Sequence, residues 1–405
     1  MKEFRIILAI VLTLFFGACS SSGSDELANT SGEEVNKEDT GKVEPITEET
    51  LLGEMNIYYG NLHGHTNYSW PEVKGYSPAD SFAFAKNLGL DFCAVTDHDI
   101  WLDINLKPQY WLNDRAWKEI GQAADDANTD GEFVAIRGFE WSNPTYGHIC
   151  IFDTPGYTDF MITPFEPLFP CLTPSIYTWL DKQNAIAQFN HPGREEKMFN
   201  NLEYDETVAD NLVIMETGNK DDGTYTNDYL PNYILALDKG WKLGPVSNQD
   251  NHVLHINSHR TVIIAPELTR DSLFAAMQDK RTYATDDTNM RVIFKAGEIW
   301  MGSTVTTEDD SIALTVMVND DEPITSLEII TNNGEVIAQN DFSNDETSVV
   351  WQVIVPCQNG SYFFLKATEK DTLNDEFNMR TFTDLDRTNG TQVAVTAPIW
   401  VSNGL

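Results

Sequence analysis

Between residue 56 and about residue 250, short apolar runs alternate with stretches of helical period. The runs NIYYGNL, DFCAVT, EFVAIRGF, GHICIF, AIAQFN, NLVIMET and LGPVS are rich in β-branched and aromatic residues and bounded by turn formers. That pattern predicts strands. Helical patterns fall at about 77–89, 114–127, 175–182, 227–239 and 269–278. The first is the clearest, with Ser77 at the N-cap, Pro78 at the first helical position and Gly89 as the stop. Strands alternating with helices predict parallel strands joined by crossovers, hence an α/β barrel or a wound sheet. After about Met290 the alternation ends. RVIFKAG, SIALTVMVN, ITSLEIITN, SVVWQVIVP, GSYFFLKAT and VAVTAPIWV are strand-like runs separated by turns such as NDD and NNGE. They predict an all-β sandwich of immunoglobulin-like type over residues 291–405, following an α/β domain over residues 55–290.

The first residues have a different character. Lys2 and Arg5 precede an apolar run over 6–16, broken only by Thr13. It is too short to span a bilayer and suits the core of a signal peptide over residues 1–18. Gly17-Ala18-Cys19 resembles a lipobox, which makes Cys19 the expected lipidation site. A plain secretory signal with a coincidental Cys is the alternative. The expected location is that of an exported, membrane-anchored bacterial lipoprotein. Ser20 after the Cys points to an outer membrane, facing the periplasm or the cell surface. Residues 19–54 are polar and acidic without hydrophobic period, which predicts a disordered tether.

Charge narrows the partners. The 405 residues carry 63 Asp plus Glu against 26 Lys plus Arg, a formal net charge of -37. Such a surface repels nucleic acid and anionic lipid, so no nucleic-acid partner is expected, and membrane contact only through the lipid anchor. The expected partner is a small-molecule or polymer-derived ester. Cys93, Cys150, Cys171 and Cys357 form no CxxC pair, which excludes a Cys-rich zinc site. Cys93 and Cys150 read as small core residues, and nothing in the spacing of Cys171 and Cys357 argues for a disulfide.

The chemistry lies where the strand runs end, because such ends converge on one rim of a parallel α/β fold. NIYYGNL is followed by His63 and His65, FCAVT by Asp97, His98 and Asp99, and VAIRGF by Glu140. IAQFN is followed by His191, and GPVSNQ by Asp250 and His252, while His148 opens a strand instead. Six of the eight histidines stand in these places. Period-2 pairs such as His63 and His65, or Asp250 and His252, point both side chains to one side of an extended segment. A lone His is more often a satisfied core or surface residue. Six at strand termini, in step with two carboxylates, point to a metal centre. Asp97 is expected either to orient a ligand imidazole from behind or to cap the turn after its strand. Arg194, three residues after His191, is a candidate for stabilising developing charge on the substrate. His255 and His259 read as loop residues, Arg260 and Arg281 as salt-bridge partners. Trp70, Trp101, Trp111 and Trp141 read as core residues, with an aromatic substrate platform as the alternative.

The motifs NLHGHTNYS, GLDFCAVTDHD, GFEWS, FNHPG and SNQDNH resemble those of the PHP (polymerase and histidinol phosphatase) superfamily. GFEWS with GHICIF, RTVIIAPELTRDSL with KRTYATDD, and the closing TAPIWV look most like its CehA/McbA-type branch. The resemblance implies a distorted seven-stranded (βα) barrel holding two or three divalent ions (Zn, Mn or Fe) that activate a bridging hydroxide. It implies His63, His65, Glu140 and Asp250 as ligands of a first ion. Glu140 would bridge to a second ion held by His148 and His191, and His98 and His252 would hold a third. The family often supplies that third ion with an Asp after the HxH; here Ser69 is followed by Trp70-Pro71-Glu72, so Glu72 is the available substitute. The expected activity is phosphomonoester or phosphodiester hydrolysis, with Glu140, Arg194 and Asp97 nearest the chemistry. Aryl ester or carbamate hydrolysis, and a non-catalytic cell-surface binding lipoprotein, are the alternatives.

Overall fold

The computed structural model describes residues 46–69, 72–73, 75–103, 114–165, 175–219, 229–254, 258–370 and 390–404. The signal peptide, Cys19 and most of the expected tether lie outside these residues, as do Trp70, Trp111, Cys171 and His255.

The chain opens with α1 (Glu48–Leu52), β1 (Asn56–Asn61), α2 (Pro78–Asn87), β2 (Phe92–Val95), α3 (Asp99–Asp103) and α4 (Arg115–Ala127). There follow β3 (Val134–Asn143), β4 (Gly147–Phe152), α5 (Ile176–Gln183), β5 (Ile186–Asn190), α6 (Met198–Leu202) and β6 (Leu212–Asn219). The first region closes with α7 (Leu230–Asp238), β7 (Gly244–Asn248), β8 (Arg260–Ala265), α8 (Arg270–Gln278) and β9 (Thr282–Thr285). Strands alone make up the rest: β10 (Arg291–Ala296), β11 (Ile299–Trp300), β12 (Thr304–Thr306), β13 (Ser311–Asn319) and β14 (Ile324–Thr331), then β15 (Glu335–Asp341), β16 (Ser348–Pro356), β17 (Tyr362–Lys370), β18 (Thr391–Thr396) and β19 (Ile399–Ser402).

The helix signals act as read. Ser77 accepts from the Asp80 N–H and Asp80 answers to the Ser77 N–H, a reciprocal cap, while Gly89 takes φ +81° just past the end. Thr47 caps α1 within the stretch expected to be a tether. Glu48 there accepts from Arg291 Nε (2.6 Å) and Asn319 Nδ2 (2.7 Å), which ties that helix to the strand region.

The fold is mixed α/β, with one large sheet and few helices. Its strand order runs β12-β19-β17-β18-β9-β8-β1-β2-β3-β4-β5-β6-β7, with β14 and β15 added beside β17. A second sheet has the order β11-β10-β13-β16. The crossovers expected from the alternation appear as the parallel pairs β1–β2, β2–β3, β5–β6 and β6–β7. β4 is the exception. It runs antiparallel to both β3 and β5, because only a short turn separates β3 from β4 and cannot hold a crossover helix. β8 and β9, not anticipated as strands, extend the sheet antiparallel from β1. At the far end the sheet curls back. The Asp250 N–H donates to His63 O (2.9 Å) and the His65 N–H to Asn251 O (3.0 Å), so the chain after β7 meets the chain after β1.

Alternation then divides the faces of the curled sheet. Cys93, Val95, Ala135, Phe139 and Phe189 pack outward against helix residues such as Phe82, Ile120 and Ala236. Phe92, Ala94, Val134, Ile136, Ile186, Ile214 and Val246 face the other way. A further core is built from Val292, Phe294, Leu314 and Val316 on one sheet and Leu327, Ile329, Leu365 and Ala394 on the other, and Ile57, Val262, Ile264 and Tyr283 of the first region join it. The antiparallel pair β9–β18 carries the large sheet across from one region to the next.

Candidate metal centre

The inward faces of the curled sheet change character along each strand. On β3 the alternate positions are Val134, Ile136, Gly138 and Glu140; on β5 they are Ile186, Gln188 and Asn190; on β6 Ile214 and Glu216; on β7 Val246 and Asn248. Each face is apolar at one end and polar at the other, and Gln188, Asn190, Glu216, Asn248 and Glu140 are all fully buried. Because β4 runs the other way, its first residue lies where the others end, so His148 sits opposite Asn190 at the same rim. Gly147 leads into it with φ +113°, where a Cβ would come within 2.5 Å of the Phe199 ring.

The rim gathers six imidazoles. Neighbouring ring centroids lie 4.3 Å apart for His65–His98 and His65–His252, and 5.0 Å for His148–His191. His63 joins them at 5.2 Å from His65 and 5.9 Å from His191. Glu140 lies among them. Its Oε1 is 3.1 Å from His63 Nε2, 3.2 Å from His148 Nδ1 and 3.5 Å from His191 Nε2. Its Oε2 is 2.8 Å from His98 Nδ1 and 3.6 Å from His65 Nε2. Asp250, strained at φ +46°, places Oδ1 2.9 Å from His65 Nε2 and 3.2 Å from His63 Nε2. Every His, Glu and Asp expected as a ligand is therefore in one cluster.

The partners behind the rings fix their tautomers. Asp97 accepts from the Thr66 N–H (2.6 Å), the Thr66 hydroxyl (2.6 Å) and the Ser69 hydroxyl (2.7 Å). Since Ser69 spends its one proton on Asp97, it must accept from His65 Nδ1, 3.0 Å away. The His65 proton therefore sits on Nδ1, and the Nε2 lone pair faces Asp250. His63 is fixed in the same way by Glu216 Oε1, 2.9 Å from its Nδ1. Its Nε2 lies near two carboxylate oxygens, yet the geometry makes no hydrogen bond to either. Both ring nitrogens of His191 are likewise buried without a hydrogen-bond partner. Its backbone N–H is taken by Glu216 Oε2 at 2.6 Å, and it holds φ +31°. Buried imidazole nitrogens left unbonded, on His63 and on His191, are costly. Divalent cations among these donors resolve both. The donor set, imidazole nitrogen with carboxylate oxygen, is one that binds divalent metal ions.

Electrostatics keep the acids charged. Burial alone would raise the Glu140 carboxyl, but His148, His63 and His98 around it hold it well below the usual range. Asp250 is held low against its burial chiefly by the charge on His63. Burial and then the neighbouring His98 push His65 down to about 3, leaving it a neutral donor.

Three further residues are placed by the structure. Arg194 donates from Nη2 to Asp250 Oδ2 (3.0 Å), a contact with a rim carboxylate. His259 is buried and bonded from Nδ1 to Ser247 Oγ (2.6 Å). Glu72 reaches the cluster, with Oε2 3.1 Å from His98 Nε2 and 3.2 Å from His252 Nε2. Trp141 is buried with its indole N–H on Thr163 O, a core role. Glu216 was overlooked. It receives Gln188, Asn248 and Asn219 as well as His63 and the His191 N–H, and its position at the end of NLVIMET was the available signal.

No family model and no curated protein matches the sequence. Among solved structures, the chain is similar to a two-domain protein containing a predicted PHP-like metal-dependent phosphoesterase from Bacteroides vulgatus. Identity is 14%, over 78% of this chain and 91% of that one, with a TM-score of 0.43. It is also similar to Endonuclease Q in complex with a 27-mer duplex bearing an abasic lesion, at 15% identity, TM-score 0.37, over 55% of this chain and 57% of that one. A third is the lesion-specific endonuclease PfuEndoQ from Pyrococcus furiosus, at 13% identity, TM-score 0.35, over 55% and 56% of the two chains. Of these three, the first is named as PHP-like, the superfamily whose motifs the chain resembles, and none is named for the CehA/McbA branch. One expectation is corrected. A net charge of -37 was read as excluding nucleic acid, yet one of these structures is held on a DNA duplex. Net charge describes the whole surface, whereas a local cluster of cations sets the sign of the field at a site.

Proposed function

We propose that this protein is a metal-dependent hydrolase of ester bonds, with phosphomonoesters or phosphodiesters as its substrate class. The convergence of His63 and His65 carries this reading: each ring brings Nε2 to 2.9–3.2 Å from carboxylate oxygens while its Nδ1 is bonded from behind. His63, His65, Glu140 and Asp250 would hold one ion, and Glu140, His148 and His191 a second. His98, His252 and Glu72 offer a third set of donors. A divalent ion in such a site lowers the pKa of bound water from about 15.7 to about 7 and polarises the bond to be broken.

The chain's own residues supply the order around the ions. Glu140 bridges the imidazoles, Glu216 holds the His63 proton on Nδ1, and the Asp97–Ser69 pair does the same for His65. Arg194 fixes the outer oxygen of Asp250. The rear of the cluster is sealed, since His63, His65, His191 and Glu140 are almost fully buried. His148, His252 and Glu72 are the members open to solvent, with side chains 24%, 20% and 52% exposed, so substrate approaches over them. The same reading takes the curled sheet for a distorted barrel, the β10–β19 region for an immunoglobulin-like sandwich, and Cys19 for the lipid anchor of an exported protein.

The test is turnover by Mn- or Zn-reconstituted protein on nitrophenyl phosphate, bis-nitrophenyl phosphate, an abasic DNA duplex and a naphthyl ester. Phosphoester turnover that vanishes in His65→Ala is the expected result. Ester turnover without any phosphoester cleavage would reverse the substrate class in favour of an aryl ester or carbamate.

A further inference from the structure

A second group of buried acids lies outside the histidine cluster. Oxygens of Asp287, Asp320 and Glu369 lie within 4.8 Å of one another. Glu322 is fully buried beside them, and its charge is felt at Glu369. The four come from three separate parts of the chain. Asp287 follows β9, Asp320 and Glu322 form the turn between β13 and β14, and Glu369 lies near the end of β17. Gln392 on β18 stands directly opposite Glu369 in the antiparallel register, which brings their side chains to one face.

Two observations mark this as a ligand site and not a patch of acidic surface. Glu369 is fully buried, and neither of its carboxylate oxygens has a hydrogen-bond donor. Gln392 is also fully buried. Its amide nitrogen donates to Asp286 O (3.0 Å), which settles the orientation of the amide, and its oxygen has no donor. The pocket thus offers acceptors to acceptors: Asp320 Oδ2 too is buried without a donor. Groups so placed need a cation or protons between them. Burial, and then contact with Asp320, pushes Glu369 up to about 12, the expected response of a carboxylate crowded by others. The remaining geometry is prepared. Asp287 Oδ1 is held by the Asn289 N–H (2.6 Å), and Asp320 Oδ1 by the Asp321 N–H (2.6 Å).

We propose that Asp287, Asp320, Glu322, Glu369 and the side-chain oxygen of Gln392 form a structural calcium site. All five donors are oxygen, four of them carboxylate, which selects a hard cation over the transition metals suited to the histidine rim. A large, irregular cage of several carboxylates fits Ca²⁺, whereas Mg²⁺ keeps most of its water and near-octahedral geometry. The ion would join the start of β10 and the β13–β14 turn to β17 and β18, pinning the two sheets of the second region at one end.

The test uses the full chain stripped of metal and then loaded with Mn²⁺, so that the histidine rim is occupied. Calcium binding is followed by calorimetry and by thermal unfolding, with Mg²⁺ as the control cation. One Ca²⁺ per chain is expected. At about 100 times Kd it should raise Tm by roughly 3–5 °C, with no such shift from equal Mg²⁺. Glu369→Gln should weaken Ca²⁺ binding at least about tenfold, and its calcium-free form should unfold close to the wild-type Tm, because the crowded Glu369 carboxyl is already protonated without the ion. His65→Ala should keep the calcium response in full, which separates this site from the rim. A wild-type protein that binds no Ca²⁺, or a response that survives Glu369→Gln undiminished, would overturn the proposal.

Discussion

The molecule buries two clusters of charge, and they are built on opposite plans. At the rim of the curled sheet, six imidazoles and the acids Glu140 and Asp250 converge, and the rings are backed by partners such as Glu216, Ser69 and Ser142. In the second region, oxygens of Asp287, Asp320 and Glu369 meet, and both Glu369 oxygens, Asp320 Oδ2 and the Gln392 side-chain oxygen are buried without a donor. The first plan fixes direction. A neutral imidazole with its proton held behind presents one lone pair along one line, so the positions of any ions are set in advance. The second plan fixes only charge and size, which suits a hard cation that accepts varied angles. Chemistry belongs to the first and architecture to the second.

The sharpest way to break this division is Glu140→Ala. Glu140 touches five of the six imidazoles, so its loss should cost turnover roughly 10⁴-fold or more through loss of the ions. Thermal unfolding measured alongside distinguishes this from collapse of the fold. A variant with near-normal kcat would end the claim that the rim acts as one unit. Next in size is the backing shell. Ser69→Ala frees the His65 proton from its partner, and Glu216→Gln does the same at His63; each should weaken metal affinity about 10- to 100-fold. Competition with a chelator reads this directly, and an unchanged affinity would show the tautomers to be irrelevant.

Much of the first plan was legible in the chain because it obeys a positional rule. His63, His65, Asp97, His98, Glu140, His191, Asp250 and His252 follow apolar runs, and the sheet brings such ends together. His148 seemed out of step only because β4 runs backward. Its place at the start of a strand was the sign of that reversal. Glu216 obeyed the same rule and was missed, since NLVIMET ends in the acid without a following His to draw notice. Strands β8 and β9 were not anticipated: RTVIIA pairs antiparallel with β1, a non-local contact that periodicity alone does not encode. The second plan was not legible at all. Asp287, the Asp320–Glu322 turn and Glu369 on β17 are far apart in the chain, and these are four among 63 acids, with no spacing to set them apart.

Smaller effects sharpen the contrast from the other side. Glu369→Gln should leave turnover on the preferred phosphoester unchanged within about twofold, because it touches no group of the rim. A matching loss of kcat would join the two clusters into one functional system. The least effect is expected at Asp91, where burial raises the carboxyl even though it accepts from the Tyr59 N–H (2.7 Å). Its folded pKa lies above the unfolded value of about 3.9. The stability it contributes is therefore full below that value and is lost as pH rises through the folded pKa. Asp91→Asn should remove this slope, so that the variant gains on the wild type in urea unfolding as pH rises above about 4. Parallel curves would show that burial does not perturb this acid.

The central claim is that the rim holds ions in common, and elemental analysis of the reconstituted and dialysed full chain meets it most directly. The account predicts at least two equivalents of Zn, Mn or Fe per chain, falling below one in Glu140→Ala. Less than one equivalent in the wild-type protein would contradict it.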